Sequence, residues 1–467
     1  MEVFYEVFYT VLGFFFQTIP FVMAVVLALA ICFFVVGSYG SPVFPVWVGM
    51  VVYVMSQLGA NAALRLGLSL SLVDLYFLLL GLVVAIRLLA GHLPAQDRVA
   101  RLWMLMAAVW GLLFVVGLVQ FKTSAGVEFR STFYMLASVF YLMSFRITAA
   151  QAGRIFQALY YTALALALLA AYRWGAYAMG ATGDWFDPHA PLRVLDAGAT
   201  MVIAVAMLPG LAMWMKLNAP RQAMMFTAPL LLIVVMVLAH RTVWIATLAA
   251  LGVAWWLAGR RRKGGSAGLM VPLAVGALVL GAVFTLAPNS TVTHEFERSV
   301  AETQQKNSTI AWRLDSWKSM VDDWVAGGPL VWPAGKPFGS GNRRYIESQG
   351  METNVAAHSH YVGMLVRGGI VVLFAYFAVQ IVALRRLLSR PVAAPDWLGG
   401  ELPALFIIAG MVYAISYSPD YMQALFTGLA YALAQQAGPM PSAARSSTVP
   451  FPIPVIPHAS RRLTDLP

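Results

Sequence analysis

Apolar runs of about 20 residues recur along this chain with short connections between them, and they leave it few ways to fold. A run of that length is what an α-helix needs to cross hydrocarbon, where no water bonds the backbone. Only helices and closed barrels satisfy every backbone group there, and unbroken runs exclude the alternation of a barrel strand. The expected fold is therefore all-α, a polytopic transmembrane helical bundle. Composition agrees: of 467 residues, 60% are hydrophobic and 11% charged, against about 25% charged in an ordinary soluble domain. Mean hydropathy is +0.74.

Runs of spanning length lie near 19 to 37, 43 to 58, 73 to 91, 102 to 120 and 131 to 149. Five more lie near 155 to 178, 195 to 215, 222 to 239, 242 to 258 and 268 to 287, with a further one near 361 to 384. A last apolar region, 402 to 437, is interrupted by Ser416-Tyr-Ser-Pro-Asp420 and reads as two helices meeting in a turn. About 12 to 13 spans result, the uncertainty being whether residues 3 to 18 cross or lie in the interface. The organisation is then 1–288, N-terminal transmembrane helices; 289–357, a polar helical segment; 358–437, C-terminal transmembrane helices; and 438–467, a Pro- and Ser-rich tail expected to be disordered.

Basic residues set the orientation. Arg98/Arg101, Arg146/Arg154, Lys216/Arg221, Arg260 to Lys263 and Arg385/Arg386/Arg390 fall in alternate connections, as one cytoplasmic face requires. This distribution also accounts for the charge of +11, and no aromatic and basic stripe points to nucleic acid. Arg130, Arg193, Arg241, the 289–357 segment and the Ser416 to Asp420 turn then share the opposite, outer face.

Several kinds of chemistry are excluded or disfavoured. The single cysteine, Cys32, rules out an intramolecular disulfide framework or a thiolate cluster. There is no phosphate-binding Gly-x4-Gly-Lys-Ser/Thr and no His-Glu-x-x-His. No cofactor or metal is called for; Asp184 and Asp187 are the only candidate carboxylate pair for a metal-dependent alternative. No internal repeat supports a transporter architecture, and the spans carry almost no ionisable residue at mid-depth.

The outer face carries the candidate chemistry. Arg130, Arg193 and Arg241 stand at the edges of spans, where an arginine drawn into hydrocarbon costs about 2.5 to 3.5 kcal/mol. They either converge on a shared anion such as pyrophosphate, or snorkel to headgroups or pair with Glu128 or Asp196. Arg313 and Trp317, at i and i+4, share a helix face that either handles substrate or rests on the membrane surface. Pro337-Phe-Gly339-Ser-Gly341 reads as a tight turn. His358-Ser359-His360-Tyr361 places imidazole at the membrane boundary, where a neutral ring could act as a general base.

Together these residues resemble a known family, the O-antigen ligase and polymerase superfamily of bacterial envelope glycosyltransferases, and more its ligase branch. The carrying motif is His358-Ser359, with Gly369 in the place of a helix glycine ten residues on; Val372 departs from the Gly, Thr or Tyr expected three positions further. Arg313-x-x-x-Trp317 ahead of Pro337 to Gly341, and Arg241 after an apolar helix, support it, although His240-Arg241-Thr242 stands where relatives usually show Ser-Arg-Gly.

The resemblance implies a C-type glycosyltransferase architecture in the bacterial inner membrane, with a periplasmic active site. It implies metal-independent, inverting transfer of a glycan from undecaprenyl pyrophosphate to a sugar hydroxyl of lipid A-core in lipopolysaccharide biosynthesis. His358 would be the base, with Arg130, Arg193, Arg241, Arg313, Trp317, His360 and Tyr361 binding substrate. The rival readings are an O-antigen or exopolysaccharide polymerase and a flippase of lipid-linked glycans.

Overall fold

The structure, a computed structural model, describes residues 25–59, 70–93, 96–188, 190–216, 222–261, 309–346, 350–389 and 401–437, together with positions 274, 278, 281 and 285. Residues 3 to 18, nearly all of the run near 268 to 287, residues 289 to 308 and the tail from 438 lie outside the described residues.

Among the described residues, nine helices come first. They are α1 (Val25–Gly40), α2 (Phe44–Gln57), α3 (Leu72–Leu89), α4 (Arg98–Phe121), α5 (Thr123–Met143), α6 (Ala149–Ala178), α7 (Ala197–Lys216), α8 (Gln222–Val237) and α9 (Arg241–Arg261). The polar segment contributes α10 (Thr309–Ala326), the single turn α11 (Val331–Ala334) and strands β1 (Arg344–Ile346) and β2 (Met351–Thr353). Helices α12 (His360–Ser389), α13 (Glu401–Tyr413) and α14 (Tyr421–Gln436) close the bundle. Among the described residues, α3, α4, α6 and α12 are long and apolar enough to cross a membrane, and six shorter helices are apolar.

The bundle is apolar both inside and out. Trp103, Phe77, Phe156 and Phe406 are enclosed, while Leu112, Val119, Leu168 and Phe374 are between 63% and 79% exposed. In water that second set would be costly; an apolar outer surface fits hydrocarbon as the solvent.

Two expectations need correction. The all-α reading misses a small antiparallel hairpin in which Arg344 faces Thr353, Tyr345 faces Glu352 and Ile346 faces Met351. Three-residue strands leave almost no periodicity in the sequence. The span placed near 131 to 149 begins instead at Thr123, because Lys122 alone, at φ 53°, joins α4 to α5. Arg130 therefore lies two turns inside α5 rather than at its edge.

Polar caps fix where helices begin. The Ser71 hydroxyl accepts from the Asp74 N–H at 3.2 Å while Asp74 accepts from the Ser71 N–H at 2.7 Å, a reciprocal capping box that starts α3. Asp420 accepts from the Gln423 N–H at 2.9 Å and starts α14. Helix α14 packs along α5, and α12 along α4. Arg386 meets Asp97 at 2.6 Å, and Arg87 donates to the Ser144 carbonyl at 2.7 Å, so the basic connections of α3, α4, α5 and α12 gather at one end. The candidate residues gather at the other.

Candidate functional site

The His358 loop is held from below by two side chains of the polar segment. Arg344 is buried, and its guanidinium donates to the Ser316 hydroxyl at 2.7 Å and to the carbonyls of Asn342 at 2.7 Å and Val355 at 2.6 Å. The Trp317 indole donates to the Ala357 carbonyl at 2.7 Å. Between them these contacts fix the chain just ahead of His358, which sits in the left-handed region at φ 49°. A non-glycine residue there is strained, and such strain persists only where the surroundings hold it.

The His358 ring is half-buried, with its centroid 5.4 Å from that of Trp312. Burial lowers its proton affinity below the ordinary imidazole value, and the charges of Arg313 and Arg344 act in the same direction. Both effects favour the neutral ring, the form able to accept a proton.

A second histidine also feels the Arg313 charge. His240, in the turn between α8 and α9, is buried and contacts the Leu195 carbonyl at 2.9 Å. Burial pushes it down to about 4, with Arg193 and Arg313 adding to the effect. Arg313 thus influences both histidines, and Arg193 shares its surroundings with His240. Arg241 follows His240 directly and opens α9. Arg313 also donates to the Tyr417 hydroxyl at 3.1 Å and lies 4.8 Å over that ring.

The remaining expected residues are placed differently. Arg130 faces Asp74 at 3.1 Å, not the Glu128 or Asp196 considered from the sequence. The Tyr361 hydroxyl donates to the Met411 carbonyl at 2.7 Å and its ring stacks on Phe377 at 5.0 Å, so it packs α12 against its neighbours. The His360 ring sits edge-on to Tyr376 at 5.4 Å, and its Nε2 is enclosed with no hydrogen-bond partner among the described residues.

Glycines allow the polar segment to lie directly on the bundle. Gly369 interrupts α12 at φ 64°, ψ −167°, and a Cβ there would fall 2.3 Å from the Pro333 carbonyl. The kink frees the Val366 carbonyl, which accepts the Lys336 N–H at 2.7 Å. At Gly339, φ 91°, a Cβ would meet the Phe121 Cβ at 2.5 Å. Glu128 on α5 grips the same turn, accepting from the N–H groups of Gly339 and Gly341 at 2.8 Å each, and pairs with Arg367 of α12 at 2.8 Å.

Two cavities flank this assembly. One of about 330 Å³ runs between α4, α5, α12 and the loop, lined by Trp110, Glu128, Phe338, Ser359 and His360 among others. A larger one, about 450 Å³, opens between α2, α5, α7 and α14 and is lined by Tyr53, Gln57, Arg130, Asp196, Asp420 and Tyr421, among others. Ser418 borders both.

Sequence reasoning missed Arg344, Asp196 and Asp420 as lining or supporting residues. Arg343 and Arg344 look alike in sequence, and only the strand alternation buries the second while the first pairs at the surface with Glu352 at 2.6 Å. For Asp420 a signal existed: Ser-Pro-Asp ahead of an apolar run is a helix start.

Apolar helices enclosing a histidine and arginine site at one end define a helical membrane protein of enzyme-like construction. Residues 226–377 match the family model described as O-Antigen ligase, and this supports assigning the chain to the O-antigen ligase family. The matched stretch holds His240, Arg241, Arg313, Trp317 and the His358-Ser359 motif, and it points to a membrane glycosyltransferase of the ligase or polymerase type. No curated protein matches the chain.

Proposed function

We propose that this protein is an O-antigen ligase that moves a glycan from undecaprenyl pyrophosphate to a sugar hydroxyl of lipid A-core, working at the periplasmic face of the bacterial inner membrane. The observation that supports this reading is a half-buried His358 whose proton affinity is lowered by burial first and by the Arg313 charge next, within the stretch that matches the family model.

His358 takes the proton of the acceptor hydroxyl as its oxygen attacks the anomeric carbon. The bond from that carbon to the pyrophosphate oxygen breaks, and the electron pair leaves with the pyrophosphate. Attack from the face opposite the leaving group inverts the anomeric configuration. Arg193, Arg241 and Arg313 offset the charge that grows on the leaving group, which requires no metal. The guanidinium fork suits this role because it matches phosphate oxygens in pairs.

Arg130 is assigned elsewhere, since Asp74 neutralises it and Asp196 and Asp420 line the same cavity. Trp317, His360 and Tyr361 support the loop and helix that present His358, without a direct role on substrate.

Purified protein in detergent tests the proposal when supplied with a polyprenyl-pyrophosphate glycan and, separately, with lipid A-core or with lipid-linked repeats. Transfer to lipid A-core supports the ligase. Extension of repeats alone identifies a polymerase, and no product in either arm removes the enzyme reading and leaves transport.

A further inference from the structure

The 450 Å³ cavity has a chemistry that the proposed transfer does not yet use. It is of the size that small ligands occupy, about 300 to 1,000 Å³. The carboxylates of Asp196 and Asp420 converge on it from the starts of α7 and α14. Both lie against Gly198, where a Cβ would sit 2.6 Å from Asp420 Oδ2 and 3.2 Å from Asp196 Oδ1. Asp196 accepts from the Ala199 N–H at 2.7 Å and from Gln57 Nε2 at 3.0 Å. Asp420 accepts from the Tyr53 hydroxyl at 2.7 Å and the Gln423 N–H at 2.9 Å. A carboxylate offers about four acceptor positions, so each retains capacity for further donors.

Charge decides what those donors are. Among the described lining residues are two carboxylates, Asp196 and Asp420, and one arginine, Arg130, which already faces Asp74 at 3.1 Å. A phosphate or pyrophosphate would meet two carboxylates and an arginine already paired, while the nearby Arg173 is taken up by the Gln57 and Val194 carbonyls and by Asp196. A hydroxyl-rich neutral molecule would find acceptors in the carboxylates, an amide in Gln57, and aromatic walls in Tyr53 and Tyr421, whose rings stand edge-on at 5.2 Å. Ser418 lines it and also borders the neighbouring cavity, which Ser359 and His360 line.

We infer that the cavity bounded by Tyr53, Gln57, Asp196, Asp420 and Tyr421 is a binding subsite for a neutral sugar unit of the substrate, distinct from the place where the pyrophosphate is held. The inference rests on the glycan-transfer reading for its biological meaning, but its test does not depend on turnover.

The test uses the full-length protein in detergent and saturation-transfer NMR with two delipidated probes, a core oligosaccharide and an O-glycan repeat oligosaccharide. Asp196→Asn keeps the α7 cap, since asparagine caps as well as aspartate, and Gln57→Ala removes the amide; thermal unfolding verifies that both variants fold. One probe is expected to bind wild-type protein and the His358→Ala variant equally, and to bind Asp196→Asn and Gln57→Ala about tenfold or more weakly, the loss expected for a hydrogen bond to a charged group. The probe that responds identifies whether the sugar comes from acceptor or donor. Absence of oligosaccharide binding by wild-type protein, unchanged binding in both folded variants, or displacement of the probe by inorganic pyrophosphate would overturn the inference. Failure of the transfer reading itself shows separately, as no product from wild-type protein with either acceptor.

Discussion

Arg344 donates a hydrogen bond of 2.6 Å to the carbonyl of Val355, three residues before His358, from a buried position inside the polar segment. The contact ties the loop's geometry to this guanidinium, as the Trp317 indole does at Ala357. It also places a fixed positive charge where the His358 ring responds to it.

Replacing Arg344 should therefore alter the pH profile as well as the rate. His358 works unprotonated, so activity fails as pH falls through its pKa, which burial first and the Arg313 and Arg344 charges next hold below the ordinary value. Arg344→Met removes one of those charges, raises the pKa and should move the acid limb of kcat/KM to higher pH. Arg344→Lys should leave the limb nearer its wild-type place while still losing rate. A profile that does not move in Arg344→Met would show that the charge is not felt at His358.

His358→Ala should reduce glycan transfer by about 10² to 10⁴, the usual worth of a general base. The protein should still be inserted and unfold at close to its normal temperature, because the His358 ring is only half-buried. Product formation measured by gel shift of lipid A-core decides the point, and near-normal transfer would refute the assignment.

Glu128 should prove structural. It satisfies two backbone N–H groups and Arg367, and Glu128→Ala would leave that cation enclosed with only neutral acceptors, the Pro337 and Gly341 carbonyls, the Ser340 hydroxyl and the Asn342 side-chain oxygen, among the described residues. Loss of one partner from such a pair costs about 3 to 5 kcal/mol. A fall of several degrees in thermal midpoint is expected, together with faster protease cleavage near residues 337 to 341. Gly339→Ala should act the same way, since a Cβ has no room beside Phe121 and φ is 91°.

Asp420 predicts a pH effect on stability. Burial raises its carboxyl to about 6, and Asp196 adds to this while the Gln423 N–H and the Tyr53 hydroxyl oppose it. A carboxyl with a raised folded pKa holds its proton longer in the folded state, so stability declines as pH rises from about 4 through about 6. Thermal midpoints in detergent should fall across that interval in wild-type protein. In Asp420→Asn the decline should be smaller, and an equal decline would place its source elsewhere.

Arg313 should matter more than Arg130 for the leaving group. Arg313→Lys keeps charge but loses the planar fork, and should weaken inhibition by inorganic pyrophosphate. Arg130→Lys, held beside Asp74, should leave that inhibition unchanged.

Much of the architecture was legible in the linear pattern because hydrocarbon imposes length. A run such as 102 to 120 has one stable form in a membrane, and α4 occupies Arg98–Phe121. The interruption at Ser416 to Asp420 likewise divides α13 from α14. The α4 to α5 junction was misread because a single residue, Lys122, makes the turn, and no breaker residue announces it. His358 was visible because it is an ionisable group at the edge of an apolar run, and Arg313 because it shares a helix face with Trp317 at i and i+4.

The sequence by itself determined that the chain is mainly helical and largely apolar, since both follow from the cost of exposing polar groups to hydrocarbon. Only the tertiary structure decided which of its polar groups meet. Arg343 and Arg344 differ by one step of a strand, and Arg130 and Arg313 by which carboxylates or rings lie opposite. Partners of that kind come from helices up to 367 residues apart in the chain, as Tyr53 and Asp420 are, and no local pattern encodes a contact made only when the helices pack.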